Sequence, residues 1–343
     1  MTVKSVRDVS AKAQEGDERL EQSLRPATFA EYVGQEKIVD NLRVYAKAAR
    51  ARGDALDHVL LSGPPGLGKT SLAHILAREL GVALHLTSGP ALVKKGDLAG
   101  LLTALAPRDI LFIDEIHRLS PAVEEALYPA MEDFRFDVVL GAGIGAQTME
   151  MKLERFTLVG ATTRTGLLAS PLRDRFPIQE RLGYYGPEEL REIAVRAAAK
   201  LALPVEPAGA EELARRARGT PRIAIRLLQR ARDFAEVEGD GRLTKAIVDR
   251  TLSRLEVDGR GLDAMDRRIL SVVLDTFGGG PVGIDAVAAA VGEESDTIED
   301  VYEPFLVREG FLARSPRGRV ALPQAWQHLG REKPRGTPQG GLF

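Results

Sequence analysis

The chain has 343 residues, enough for two or three domains, with a formal net charge of −2 and no cysteine. The near-zero charge excludes a global basic field that would draw the molecule to nucleic acid or a membrane surface, so any such binding has to come from a local patch. The lack of cysteine excludes disulfides and thiolate metal sites and fits a reducing cytoplasm, and no apolar stretch approaches the ~20 residues of a membrane span.

The first 20 residues, MTVKSVRDVSAKAQEGDERL, are polar and charged, unlike a secretory signal, and read as a frayed arm. Residues 58–163 then alternate short apolar or β-branched runs with helical patterns. The expected strands are HVLLSG (58–63), ALHLTSG (83–89), DILFIDE (109–115) and FTLVGATT (156–163). Between the first two lies KTSLAHILAREL, apolar at helical spacing, with Gly81 placed to stop it. This rhythm predicts an α/β fold with a parallel sheet covered on both faces.

The first strand runs into GPPGLGKT (63–70), which fits G-x-x-x-x-G-K-[ST] in its required setting, after a strand and opening a helix. Glycines let backbone N–H groups converge on phosphate oxygens, and the helix dipole favours the anion. Lys69 can reach the terminal phosphates, and the Thr70 hydroxyl suits Mg²⁺. The strand ILFIDE ends in Asp114 and Glu115; an apolar run tolerates carboxylates only when something pairs with them. A Mg²⁺ ion oriented by Asp114, and a water activated by Glu115, meet that need. GATT ends the next strand, where Thr163 or its neighbour Thr162 could hydrogen-bond the γ-phosphate or the water.

Residues 134–154 read as a protruding β-hairpin, with Met149, Met151 and Leu153 on one side and a Gly-rich turn, GAGIGA. Its apolar face is either a core flank or a docking surface. Arg173 and Arg175 follow a Ser-Pro helix start. From 186 to 256 the pattern is all helix, and Arg222, Arg226 and Arg230 share one face, read as a solvated or inter-subunit surface. From Gly259 on, three helices and a hairpin about SPRG outline a winged helix, with Trp326 closing its core. This last part holds ten basic and twelve acidic side chains, so the usual basic footprint of a DNA-binding module is absent. Its positive charge is concentrated instead, with Arg308, Arg314, Arg317 and Arg319 within twelve residues. The five histidines show no metal-ligand spacing and are expected in packing or at the surface.

Taken together these stretches resemble the AAA+ ATPases. The stretches LSPAVEEALYPAMEDF and GGGPVGIDAVAAAVGEE narrow the resemblance to the RuvB family of Holliday-junction branch-migration motors, and it covers nearly the whole chain. It implies a large ATPase domain (1–185), a small helical domain (186–256) and a winged-helix head (257–343). It implies ATP and Mg²⁺ held by Gly66, Leu67, Gly68, Lys69, Thr70 and Ser71, the last standing where the family often has a second threonine. Leu24, Arg25 and Tyr185 would flank the adenine, and Glu132, Asp133 and Phe134 lie in a segment the family places near nucleotide. Arg175 would be an arginine finger acting on the adjacent subunit, Arg222 would report nucleotide state, and Arg314 and Arg319 would touch DNA phosphates. The implied setting is a cytoplasmic homohexameric ring on double-stranded DNA at Holliday junctions, serving recombination, repair and the SOS response. RuvA would bind the 134–154 hairpin and the RuvC resolvase would join a larger complex. Competing readings are a clamp-loader-like switch, a nucleotide-gated transcription regulator and an unfoldase. The acidic helix TIEDVYEPFLVREG disfavours the regulator, and no trustworthy aromatic pore loop supports the unfoldase.

Overall fold

The computed structural model describes residues 23–140 and 147–332; the N-terminal arm, the hairpin turn GAGIGA and the tail beyond Glu332 lie outside the described residues. The chain divides into two compact units, one of them Ser23–Tyr185, the other containing Gly186 onward.

In the first unit five parallel strands stand in the order β2-β3-β6-β1-β7: β1 (Val59–Ser62), β2 (Leu84–Ser88), β3 (Ile110–Asp114), β6 (Thr157–Thr162) and β7 (Ile178–Arg181). The four apolar runs are the four expected strands. β7, sequence IQER, is a fifth that the apolar pattern does not show. It lies at the sheet edge beside β1, where half of its side chains face solvent and need not be apolar. Helices Glu36–Arg52, Lys95–Thr103 and Pro121–Glu132 also form, besides Lys69–Leu80, which Gly81 ends in the left-handed region at φ 70°. Strands β1, β3 and β6 are almost wholly buried, and their side chains join Leu98, Leu127, Phe156 and Phe176 in the core. The expected hairpin is present as β4 (Arg135–Leu140) paired antiparallel with β5 (Gln147–Lys152).

Because all five strands run the same way, the sheet has two chemically different ends. The loops after Ser62, Asp114 and Thr162 leave from its carboxyl edge, with Ser62 beside Thr162 in register and Gly63 N–H donating to Thr162 O at 3.1 Å. The amino edge is organised by His58. Its Nε2–H donates to Met131 O at 3.1 Å, its Nδ1 accepts from Leu158 N–H at 2.9 Å, and Phe134 and Phe156 pack on its ring. Burial lowers its pKa, so this histidine is a neutral structural pin holding the end of helix Pro121–Glu132 to the strands.

In the second unit, helices Pro187–Lys200, Pro207–Arg216, Pro221–Glu238 and Lys245–Arg254 pack together. Three of them have proline in the first turn, where its missing N–H costs nothing. The shared arginine face of Pro221–Glu238 is not a uniformly solvated surface. Arg226 is 4% exposed, because this helix packs against all three of its neighbours and its polar stripe narrows accordingly. Residues 264–328 form helices Ala264–Ser271, Ile284–Val291 and a helical run from Ser295 to Arg308, then β8 (Leu312–Ser315) paired with β9 (Gly318–Ala321) and a last helix, Pro323–His328. Leu270, Val273, Tyr302, Phe311 and Trp326 fill this core.

Helical and winged parts are tied by Arg218. Its buried guanidinium meets Asp263 at 2.7 Å and Asp266 at 2.8 Å and lies over the Phe305 ring at 5.0 Å. Burial pushes the Asp266 carboxyl up to about 7. Replacing Arg218 by Met leaves two buried carboxylates facing each other, and a loss of about 3–5 kcal/mol is expected in denaturant unfolding of this unit. Since folded Asp266 holds its proton more tightly than the unfolded chain does, its contribution to stability is whole at acid pH and fades as pH rises through about 7. Asp266→Asn should flatten that part of the stability–pH curve.

Candidate active site and nucleic-acid wing

The carboxyl edge of the sheet gathers the expected chemistry. Gly63 (φ 131°) and Gly68 (φ 102°) take backbone conformations closed to other residues, and added Cβ atoms would sit 2.5 Å from Leu182 O and from the Tyr32 hydroxyl. The loop folds back over buried Leu67 and opens helix Lys69–Leu80, whose first N–H groups no N-cap side chain satisfies. Gly66 is also left-handed (φ 79°), and Thr70 and Ser71 begin the helix half-buried. Lys69 Nζ donates to Gly63 O at 2.7 Å and Pro64 O at 2.9 Å, so the cation is curled inside its own loop. These are the features of an anion cradle.

Asp114 ends β3, and its Oδ1 accepts from Glu115 N–H at 2.9 Å. Glu115 follows in the left-handed region at φ 47°, a strained position for a side-chain-bearing residue that turns its carboxylate out of the strand. That carboxylate meets Arg118 at 3.1 Å, an exposed pair worth little, about 0–1 kcal/mol, and readily exchanged.

The two threonines ending β6 are not equivalent. Thr162 Oγ1 accepts from Arg164 N–H and shares a 3.0 Å hydrogen bond with His117 Nδ1. Thr163 Oγ1 is shielded from solvent and has no hydrogen-bond partner among the described residues. A shielded hydroxyl without a partner costs roughly 1–3 kcal/mol, so Thr163 offers a hydroxyl that a ligand could take up, whereas that of Thr162 is already used as a brace. His117, expected only in packing or at the surface, belongs to the site through this bond. Its spacing carried no metal pattern, and only the adjacency of β3 and β6 reveals it.

Sequence reasoning also missed Tyr32. Its hydroxyl donates to Leu67 O at 3.2 Å, and that of Tyr185 donates to the same carbonyl at 3.1 Å, the two lying 3.0 Å apart. Burial and the partner phenol raise the Tyr32 pKa well above the usual range. The pair pins the phosphate loop from outside. Leu24 is buried and Arg25 half-buried ahead of it; desolvation and nearby Arg25 keep His74, on the loop's helix, below its ordinary pKa.

Other expected residues lie elsewhere. Glu132, Asp133 and Phe134 are at the amino edge, beyond His58, which the four residues of β1 separate from Gly63 by roughly 16 Å. The Phe134 ring is spent in packing against His58, Phe156 and Arg155. Arg175, after helix Ser170–Arg173, stands with this group: it pairs with Glu132 at 3.0 Å, donates to Pro171 O at 2.6 Å and lies over the Tyr128 ring at 4.3 Å. The structure thus brings Glu132 and Arg175 together and keeps both away from their own phosphate loop. Arg222 lies in the first turn of Pro221–Glu238, half-buried, in the other unit.

On the wing, Arg314 and Arg319 face each other across β8 and β9 and both grip Glu303, which is 1% exposed. Each guanidinium donates two hydrogen bonds to that carboxylate, at 3.0–3.1 Å, and Arg319 also pairs with Glu299. Arg314 keeps 56% of its side chain exposed, Arg319 only 16%. The acidic helix therefore serves to hold the wing.

A glycine cradle with its lysine, strand-end carboxylates and a partnerless strand-end hydroxyl on one edge of a parallel sheet define a P-loop ATPase. Three family models match in succession: the Holliday junction DNA helicase RuvB P-loop domain over 24–182, the RuvB AAA lid domain over 185–258 and the RuvB C-terminal winged helix domain over 259–330. The chain belongs to the RuvB family of AAA+ ATPases. It is 89% identical over its full length to the Holliday junction branch migration complex subunit RuvB of Anaeromyxobacter sp. (strain Fw109-5). It is 63% identical over 327 residues, 95% of both chains, to that of Myxococcus xanthus. The solved Thermotoga maritima RuvB Holliday junction branch migration motor is 51% identical, with a TM-score of 0.83 over 91% of this chain and 100% of that one.

Thr163→Val should lower ATP turnover by about 10²-fold while nucleotide affinity holds, as expected for a donor felt mainly in the transition state. Thr162→Val should instead lower thermal stability. Steady-state hydrolysis beside fluorescent-nucleotide titration separates the two.

Proposed function

We propose that the chain is the ATP-driven motor subunit of a Holliday-junction branch-migration complex. The observation that carries this reading is the opposition of the two sheet edges. The phosphate loop, Asp114, Glu115 and Thr163 occupy one, while Arg175, Glu132 and Asp133 occupy the other. One copy holds the nucleotide and the next completes its site, which suits a closed homohexameric ring.

The reaction is hydrolysis of ATP to ADP and phosphate. Glu115 takes the proton of the attacking water, Lys69 leaves its loop carbonyls to balance charge on the β- and γ-phosphates, and Thr163 donates to the γ-phosphate or the water. Thr70 and Asp114 form an oxygen donor set that fits Mg²⁺, which would neutralise phosphate charge when bound. The neighbour's Arg175 stabilises the transferring phosphoryl group, a contribution of ~10³–10⁵ in rate in related chemistry. Tyr185, Leu24 and Arg25 flank the base, and Arg222 carries the response of the helical part (186–256) to the large domain (1–185).

The winged head (257–343) grips double-stranded DNA through Arg314 and Arg319, held at fixed spacing by Glu303. A few phosphate contacts give a sequence-blind, salt-sensitive hold that a moving motor can release. The 134–154 hairpin docks RuvA: Phe136 at its base is buried in the core and Val138 packs against it, whereas Met149, paired across the hairpin with Val138, is 46% exposed and adaptable to a partner surface. RuvC joins the larger assembly, and the work is done in the cytoplasm during recombination, repair and the SOS response.

Mixing Lys69→Ala chains with Arg175→Ala chains on duplex DNA should recover ATPase activity that neither has alone; no recovery sinks the shared site. Arg314→Ala should reduce the slope of log affinity against log salt by about 0.9 with head stability held, and an unchanged slope removes the wing from the DNA contact.

A further inference from the structure

Arg175 makes three kinds of contact within its own chain, and they are not alike. Two consume N–H donors: one bond to Pro171 O at 2.6 Å and the ion pair with Glu132 at 3.0 Å. The third, with the guanidinium 4.3 Å from the centre of the Tyr128 ring, uses the flat face of the cation and leaves every donor available. The Nε–H is shielded and has no partner among the described residues, and 23% of the side chain is exposed.

The ring is itself held. Glu124, Tyr128 and Glu132 are spaced by four along helix Pro121–Glu132 and share one face. Tyr128 Oη donates to Glu124 at 2.5 Å, fixing the far end of the ring, while Glu132 takes the guanidinium at the near end. Burial and Glu124 push the Tyr128 hydroxyl up to about 12, so it remains a neutral donor throughout the working pH range. The helix is anchored in turn by the Met131–His58 bond at the amino edge.

When Arg175 meets a phosphate, the pair with Glu132 has to give way, because Glu132 is an anionic competitor for the same guanidinium, and the bond to Pro171 O holds one of the five donors a phosphate could use. The stacking contact need not. A free arginine side chain has many rotamers to lose when it is fixed, and a platform that persists through the exchange spares that loss in the transition state.

We propose that Tyr128 is a positioning residue for the arginine finger, holding the guanidinium plane while its donors pass from Glu132 and Pro171 to the neighbouring subunit's phosphate. This rests on the reading of Arg175 as a finger lent in trans, and the test keeps the two apart. Arg175→Ala chains, with intact phosphate loops, serve as acceptors; Lys69→Ala chains, unable to hydrolyse ATP themselves, serve as finger donors. ATPase activity is read on mixtures assembled on duplex DNA. The plain donor should restore activity. Donors also carrying Tyr128→Ala, or Tyr128→Leu as a bulkier ring-free variant, should restore about fivefold less, the size of one stacking contact. Donors carrying Tyr128→Phe should match the plain donor. Singly substituted Tyr128 variants should bind fluorescent nucleotide normally, since their own phosphate loops are untouched. Equal activity with ring-free and ring-bearing donors would overturn the role of Tyr128 while leaving the finger in place. Failure of the plain donor would remove the finger, and the platform with it.

Discussion

A parallel sheet cannot place the same chemistry at both ends. Every strand of the large unit points one way, so every loop that follows a strand leaves from one edge and every approach arrives at the other. The phosphate loop, the strand-end carboxylates and the partnerless Thr163 hydroxyl inherit the first edge. Arg175, the Glu132 segment and the His58 pin inherit the second. No local adjustment can bring them together within one chain, because buried strands of fixed rise stand between them. On the reading proposed for Arg175, a site that draws on both edges is shared between copies, and the direction of the strands is what makes it so.

Around this frame, polar groups fall into those already satisfied and those waiting. Thr162 is committed to His117 and to the backbone; Thr163, one residue on, is committed to nothing described. Lys69 is held by carbonyls it can exchange, and Glu115 by an exposed arginine it can release at little cost. The tyrosine pair on Leu67 O, by contrast, is buried and fixed. Rigid anchors thus sit behind movable reacting groups, which is the division of labour a catalytic site requires.

The second unit applies the same economy to charge. It has no basic face in its composition, yet Glu303 collects two guanidinium groups and holds them across a hairpin. Arg319 is largely enclosed, while Arg314 presents most of its side chain to solvent. Deeper in, Arg218 ties the helical part to the head through two carboxylates, one of them kept near neutrality by burial. The junction between the helical part and the head is therefore a buried ionic contact that starts at Arg218, just ahead of the helix carrying Arg222.

Much of this was legible from the residue order. GPPGLGKT specified the cradle, because the backbone conformations at Gly63 and Gly68 admit no side chain and a lysine at that spacing has few other uses. Apolar runs located four strands, the alternation at 148–154 located the hairpin, and proline and glycine marked most helix ends. The sequence could not show β7, since an edge strand needs little apolar character, nor the burial of Arg226, since periodicity says which residues share a face but not what covers it. It could not choose between Thr162 and Thr163, find Tyr32 or His117, or reveal that Glu132 and Arg175 stand apart from the phosphate loop. Each of these depends on which strands lie side by side and which end of the sheet a loop leaves from. Strand neighbours are fixed by long-range packing, and only the folded chain brings such distant residues within hydrogen-bonding reach.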